Sequence, residues 1–426
     1  MKLTKDEKAI LDGSEGPTMA KIMRTMVMFG EIAGAKRLVP VTHEGHLVTS
    51  FGISILKPVY RIMNEIIDSG IKAKWSFTMD PRPIDYVNVK CNLLNKFVFS
   101  KVMYGQQKKY EEQLRKVGLR GTNDFSCTCY LPEMGNTPKK GDVLSWAESS
   151  AVVYANSVLG ARCNRNSGMF DLFGNILGKV PEFGFLLDEG REANWVIDIK
   201  TTTLPEAQIL GSAIGMAVGD GVPFIKGLDK FLGKKLDAKT CSYLKDMGAA
   251  SASNGAVGLY HIQNLTPDAV EKGTALIKTS PNHLEITDEY LQKVYDNYPI
   301  LWKNKNAKPY LCFIGCPHLS LEQMVSWTNN ITDSLAKNGR NIVTMRTVIT
   351  TSPAVLDAFK KLPEYQKLLD TGVKISNICP LMYVDNPVAG KKPIITCSNK
   401  LRTYSGSRYY KESEIIDIIT GKKEGK

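Results

Sequence analysis

Apolar residues along this chain recur in two rhythms. The first is helical. Ile55 to Ser69 places its apolar side chains on one face and stops at Gly70, a C-terminal signal. Thr4-Lys-Asp-Glu7 and Ser320-Leu-Glu-Gln323 match capping boxes, the second opening a helix to Ala336. Pro205 to Val218 reads as a helix of small residues, and Phe97 to Val117 as one long charged helix. The second rhythm is that of short apolar strands bounded by turn residues: Arg37–Val41, Ala73–Thr78, Phe185–Leu187, Trp195–Ile199, Pro309–Ile314, Asn341–Ile349, Val373–Ile378 and Pro393–Thr396. Strands alternating with helices at this spacing predict βαβ units, hence an α/β fold of mainly parallel sheets covered by helices. No internal repeat or low-complexity segment interrupts the pattern. The Gly-punctuated SASNGAVG, Ser251 to Gly258, is the expected boundary. Subdomains of roughly 1–125, 126–255 and 256–410 follow, with 411–426 a terminal helix and basic tail.

Composition narrows the classes. A length of 426 residues with 43% hydrophobic content supports a large buried core. The opening MKLTKDEKAI lacks the apolar region of a signal peptide, and no apolar run reaches the roughly 18 residues of a membrane span. Nine cysteines, an odd number scattered widely, suit a reducing cytoplasm better than a disulfide framework. The net charge of +12 raises nucleic acid as a partner, but the basic residues are dispersed and no binding signature accompanies them. A solvated surface that attracts a small anionic substrate is the better expectation.

Candidate chemistry gathers in Phe125 to Gly168, where thiols, hydroxyls and guanidiniums flank one small-residue helix. Ligands of open α/β sheets collect beyond the carboxyl ends of strands. Gly315-Cys316-Pro317, Cys379-Pro380 and Cys397-Ser398-Asn399-Lys400 lie at such ends. Separated thiolates of this kind can hold an iron–sulfur cluster, and three ligands leave one iron open to substrate. The plainer alternative is a buried hydrophobe. It is the expectation for Cys91, Cys241 and Cys312, while for Cys316 and Cys379 pattern alone leaves both open. Ser149 and Ser150 read either as helix caps or as substrate contacts, and His43 and His46 as loop surface or site rim.

The stretch Trp146 to Arg162 with Asn164-Arg165, followed in order by Gly315-Cys-Pro-His318 and Cys379-Pro380, resembles the signature of the aconitase X family from about Leu3 to about Tyr404. The resemblance implies an aconitase-like fold and an iron–sulfur hydro-lyase acting on cis-3-hydroxy-L-proline or phosphomevalonate. Cluster ligands would be Cys127, Cys316 and Cys379, and the cluster [4Fe-4S] or [2Fe-2S]. Catalytic contacts would come from Ser149, Ser150 and Lys400, and substrate contacts from Gly52, Ile53, Ser54, Asp80, Glu148, Arg162, Arg165 and Ser398. His318 is expected to support the cluster residues rather than bind metal.

Departures from the pattern stand beside the matches. Cys129 replaces a Pro and competes with Cys127, and Cys163 stands where a Thr is expected, while Asp80-Pro81 matches the family's Asn-Pro turn. Cys397 and Asn399 alter the segment before Lys400, which tilts the expectation toward cis-3-hydroxy-L-proline. The family's small swivelling domain has no counterpart in this chain, so a separate small subunit carrying the catalytic base, a Ser, is the expected partner. A non-catalytic iron–sulfur sensor that binds nucleic acid is the reading from another class.

Overall fold

The computed structural model describes residues 1–48, 54 and 56–422. The N-terminal part holds two small sheets. Strand β1 (Leu38–Pro40) pairs antiparallel with β4 (Lys179–Pro181), and β2 (Gly45–Leu47) pairs parallel with β3 (Phe77–Met79). Helices Lys5–Leu11, Pro17–Ile32, Lys57–Asp68 and Gly168–Leu177 close a core around Met26, Met63, Ile66, Phe77 and Ile176. The capping box at Thr4 forms as its spacing predicts. The long helix expected over Phe97–Val117 is instead broken into Leu93–Phe97, a π-helical segment Val98–Met103, and Gln107–Val117. Gly105 lies at the break, where a Cβ would stand 3.0 Å from the Ser100 carbonyl oxygen.

Two wholly parallel sheets form the rest, as the alternation of elements predicts. The first runs β7-β6-β5-β8, built from β5 (Ala193–Ile199), β6 (Pro223–Lys226), β7 (His261–Ile262) and β8 (Ile277–Ile286). The second runs β11-β10-β9-β12-β13, from β9 (Leu311–Leu319), β10 (Thr347–Thr351), β11 (Lys374–Ser376), β12 (Ile394–Thr396) and β13 (Arg408–Tyr409). All nine residues of β9 are buried, as a central parallel strand covered on both faces requires. One apolar core joins both sheets and includes the buried helix Ser149–Ser157.

Three expectations need correcting. Ser251–Asn254 is the last turn of the helix Ala238–Asn254, and β6 and β7 on either side pair in one sheet, so Ser251–Gly258 separates nothing. Its small residues serve close packing: a Cβ on Gly211 or Gly215 would lie 2.1 Å from the Met247 carbonyl oxygen or 2.5 Å from that of Ser251. Phe185–Leu187 is a 3-10 turn (Gly184–Leu186) rather than a strand. The terminal helix Glu412–Thr420 is no appendage, because Ile415 and Ile419 are fully buried in the main core. Among the described residues no helix is long and apolar enough to cross a membrane.

Candidate active site

Strand ends converge on one cavity of about 470 Å³, within the range of small-molecule sites. Cys127 reaches it from the loop after Phe125, which bridges to Met79 at the end of β3. Cys316 arrives late in β9, directly after Gly315 at φ +99. No larger residue fits at Gly315, because a Cβ would lie 2.4 Å from the Thr350 carbonyl oxygen. Cys379 precedes the helix Pro380–Val384, and its N–H donates to the Arg82 carbonyl at 2.9 Å. That bond ties the loop of Asp80 to the loop of Cys379. The three thiols thus line one cavity although the first and last lie 252 positions apart in the chain.

Cys129 points elsewhere. It is fully buried and lines no part of the cavity, and the same holds for Cys163, whose thiol faces the Trp146 carbonyl; Cys397 is buried and also lies off the cavity. Cys127 and Cys129 lie in a turn over 127–130 rather than a strand, so residues two apart face different surroundings. Cys312 is likewise fully buried, while Cys91 and Cys241 are partly buried.

Glu148 is the electrostatic centre of the wall. As N-cap of the helix Ser149–Ser157 it accepts from the Ala151 N–H at 2.6 Å and from Ser150 Oγ at 2.7 Å. Its other oxygen accepts from Lys400 Nζ, which also reaches Ser150 Oγ at 3.3 Å. Burial alone would raise the Glu148 pKa, but Lys400 and the donated hydrogen bonds outweigh it and hold the carboxyl at about 2. Reciprocally, burial would lower Lys400, and Glu148, Cys316 and Cys127 raise it above the ordinary lysine value. Both groups are charged at neutral pH.

His318 lines the cavity with both ring nitrogens engaged, Nδ1 at 3.1 Å from Ser126 Oγ and Nε2 at 3.0 Å from the Ile378 carbonyl. Burial pushes its pKa down to about 4, so it is neutral. Its backbone N–H donates to Cys127 Sγ at 3.4 Å. The ring braces the segments that carry Cys127 and Cys379.

The remaining candidates divide. Asp80 and Ser149 line the cavity with Glu148 and Lys400. Ser150 and Ser398 stand behind the wall. Ser398 caps the helix Asn399–Thr403 and donates to the Cys316 carbonyl, so it places Cys316 rather than a substrate. Ser54 Oγ is buried without a hydrogen-bond partner among the described residues, and Gly52 and Ile53 lie outside them. Arg162 does not reach the cavity: its guanidinium is held by Asp188 and, at 2.8 Å, by the Leu186 carbonyl. Arg165 is exposed and also lies off the cavity. Asp385 and Tyr404 do line it, and no local pattern in the sequence marks either.

Comparison with known proteins decides the family. Models of the aconitase X first, second and third domains match residues 1–189, 193–296 and 310–418. The chain belongs to the aconitase X family. It is 30% identical to the phosphomevalonate dehydratase large subunit of Thermococcus kodakarensis over 95% of each chain. The corresponding protein of Methanosarcina mazei is 29% identical over 100% of this chain and 99% of its own. The cis-3-hydroxy-L-proline dehydratase of Pseudomonas aeruginosa is 27% identical over 66% of this chain and 47% of its own. The crystal structure of aconitase X from Thermococcus kodakaraensis in its holo-form superposes with a TM-score of 0.80 at 29% identity, covering 98% of this chain and 100% of that one. The fold is therefore aconitase-like, and the chain is an enzyme of the hydro-lyase class.

An iron–sulfur cluster is what this family implies, and the donor set fits one. Three thiols line the cavity, and burial raises the pKa of each, so each is a neutral thiol until a cation draws off its proton. Among the described residues no three His, Cys, Asp or Glu side chains are grouped tightly enough to share a single ion. A cluster distributes its thiolates over different irons, so its ligands stand further apart than those of one ion.

Proposed function

We propose that this chain is the large, cluster-bearing subunit of a dehydratase whose substrate is a small hydroxylated amino acid, with cis-3-hydroxy-L-proline the reference compound. The charge lining the cavity supports this reading. Asp80, Glu148 and, at the rim, Asp385 face it, against Lys400 as the cation among its described lining residues. Glu148 already balances Lys400, which leaves Asp80 without a counter-charge on the cavity side. A phosphate dianion would meet like charge there, whereas a zwitterion offers Asp80 its nitrogen and the lysine its carboxylate. Ser149 begins a helix of nine residues, and its first N–H groups suit the same carboxylate.

The chemistry follows from that placement. Cys127, Cys316 and Cys379 would hold the cluster, which when bound supplies a Lewis acid for the departing hydroxyl. Lys400 and the start of the helix fix the carboxylate, and Asp80 fixes the nitrogen. The carbon between them loses a proton, its electron pair forms the new double bond, and the C–O bond opposite breaks to release water. We assign the base to a hydroxyl, a serine, on a small partner subunit. The support for a partner is that the relatives covered end to end are named large subunits.

The second reading, phosphomevalonate dehydration, is favoured by those same end-to-end relatives, since the hydroxyproline dehydratase from Pseudomonas is about twice the length matched. The test is water elimination by the anaerobically co-expressed complex, offered cis-3-hydroxy-L-proline and 5-phosphomevalonate side by side. Turnover of the amino acid alone is expected. Turnover of the phosphate alone would overturn the substrate assignment and leave the hydro-lyase class intact.

A further inference from the structure

We propose that His46 is a positioning residue, whose ring holds the Asp80 carboxylate ionised and turned into the cavity. The role rests on reading this cavity as the dehydration site. His46 sits on β2 directly beside Thr78 of β3 and is completely buried. Its Nδ1 lies 2.9 Å from Thr78 Oγ1, which accepts a hydrogen bond from Asn136 Nδ2 at 3.0 Å and stands 3.4 Å from the Gly45 carbonyl. With its own proton turned to that carbonyl, the threonine has a lone pair free for Nδ1–H. The other ring nitrogen, Nε2, stands 3.5 Å from Asp80 Oδ1, and both atoms are buried without a closer hydrogen bond among the described residues; the Cys129 side chain also faces the ring. The Trp146 ring backs the imidazole edge-on at 5.8 Å between centroids. The ring is thus fixed from one side and aimed at Asp80 from the other.

Charge gives this geometry a purpose. Burial above all, and then the neighbouring Glu148, push the Asp80 pKa upward and leave it raised on balance, while His46 and, more weakly, Lys400 limit the rise. Burial would lower His46, but negative charge on the Cys129 sulfur and on the Asp80 carboxylate, with the hydrogen bonds to both, raises it to about 10. Lys400 is paired with Glu148 and acts on Asp80 only from a distance, so His46, as hydrogen-bond donor and as charge, is the stronger of the two cations opposing the rise at Asp80. Without it, a desolvated carboxylate beside a second one takes up a proton, and the acceptor that the substrate nitrogen needs disappears.

The test uses the iron-loaded, co-expressed complex and four variants: His46→Ala, His46→Gln, Asp80→Asn and the His46→Ala/Asp80→Asn double. His46→Ala is expected to raise KM about tenfold or more with a smaller change in kcat, the size of a lost hydrogen bond to a charged group. His46→Gln, which keeps a donor near the Nε2 position, is expected to recover most of it. The double variant is expected to be no worse than Asp80→Asn, because His46 acts through Asp80. A readout independent of turnover is the ¹⁵N spectrum of the complex assembled with histidine label in this chain alone, whose five histidines give five ring systems. His46 is expected to carry protons on both nitrogens at pH 8 and to lose one in Asp80→Asn. Additive KM effects, or a wild-type His46 with one bare nitrogen at pH 8, would overturn the proposal. Failure of both substrates with the doubly protonated ring intact would instead overturn the substrate reading alone.

Discussion

Replacing Lys400 with Met keeps the length of the side chain and removes its charge. Among the described residues Glu148 then keeps Ser150 Oγ, the Ala151 N–H and, at 3.5 Å, Ser149 Oγ as donors in a desolvated wall. The size of the effect can be worked from the carboxylate. Glu148 is held at about 2 against a reference of 4.5, a difference worth roughly 3 kcal/mol at about 1.4 kcal/mol per pH unit. Because the folded value is the lower one, this stability is present above pH 4.5 and is lost as the pH falls toward 2. Breaking one side of a buried pair costs about 3–5 kcal/mol, since the surviving charge has no partner. Removing both sides costs far less. Lys400→Met is therefore expected to lose about 3 kcal/mol or more in urea unfolding at pH 7, while the Lys400→Met/Glu148→Gln double recovers a large part. Trp146, fully buried two residues from Glu148, gives a fluorescence signal from the right place. A single variant within about 1 kcal/mol of wild type, or a double less stable than the single, would refute the reasoning. Both variants are expected to lose turnover, so stability rather than activity decides the point.

Further outcomes follow from the same coordinates. Cys127→Ala, Cys316→Ala and Cys379→Ala are each expected to lose iron, sulfide and visible absorbance after anaerobic purification, whereas Cys129→Ala and Cys397→Ala keep them; loss in Cys129→Ala alone would shift the ligand assignment. Asp171 is fully buried, and desolvation raises its carboxyl to about 8 despite hydrogen bonds from Asn166 and Ser145. A raised folded value means stability is full below pH 3.8 and is lost as the pH rises through 8, so Asp171→Asn should flatten the pH–stability curve between pH 4 and 8 and gain most at the upper end. Arg162→Ala should leave KM unchanged and cost less than about 1 kcal/mol, because its partner Asp188 is largely exposed; a rise in KM would return Arg162 to the substrate.

Much of the fold is legible because local rules and the global layout agree. Ser320 and Gln323 cap one another whatever surrounds them, and the helix Leu321–Lys337 starts where that spacing puts it. Strand β8 shows the opposite case. IKTSPNHLEI contains a proline and mostly exposed positions, so nothing in its composition announces a ten-residue strand. It exists because an edge strand tolerates proline, and β5 offers it an open ladder. The helix Ala238–Asn254 was obscured for a different reason. Its Ser, Ala and Gly read as a flexible connection, yet small residues are what two helices need when their backbones nearly touch.

The candidate site divides along a similar line. Place at a strand end marks Cys316, Cys379 and Lys400 as candidates, but pattern alone leaves the two thiols open between ligand and buried hydrophobe, and the family resemblance is what singles them out together with Cys127. Arg162 misled because guanidiniums near a conspicuous helix look available, and only the third dimension supplies Leu186 and Asp188 as their partners. His46 was ambiguous for the converse reason. THEGHLV is polar and Gly-punctuated and reads as a loop, but pairing of Gly45–Leu47 with Phe77–Met79 turns it into a buried strand. Register then puts His46 opposite Thr78, two residues before Asp80. A histidine in such a place must either find partners for both nitrogens or destabilise the core. The partners it finds are a threonine held by Asn136 and a carboxylate on the cavity wall. Asp80 on the cavity wall and the buried histidine at 46 are therefore parts of one arrangement: the carboxylate needs a cation behind it, and the cation needs a carboxylate in front.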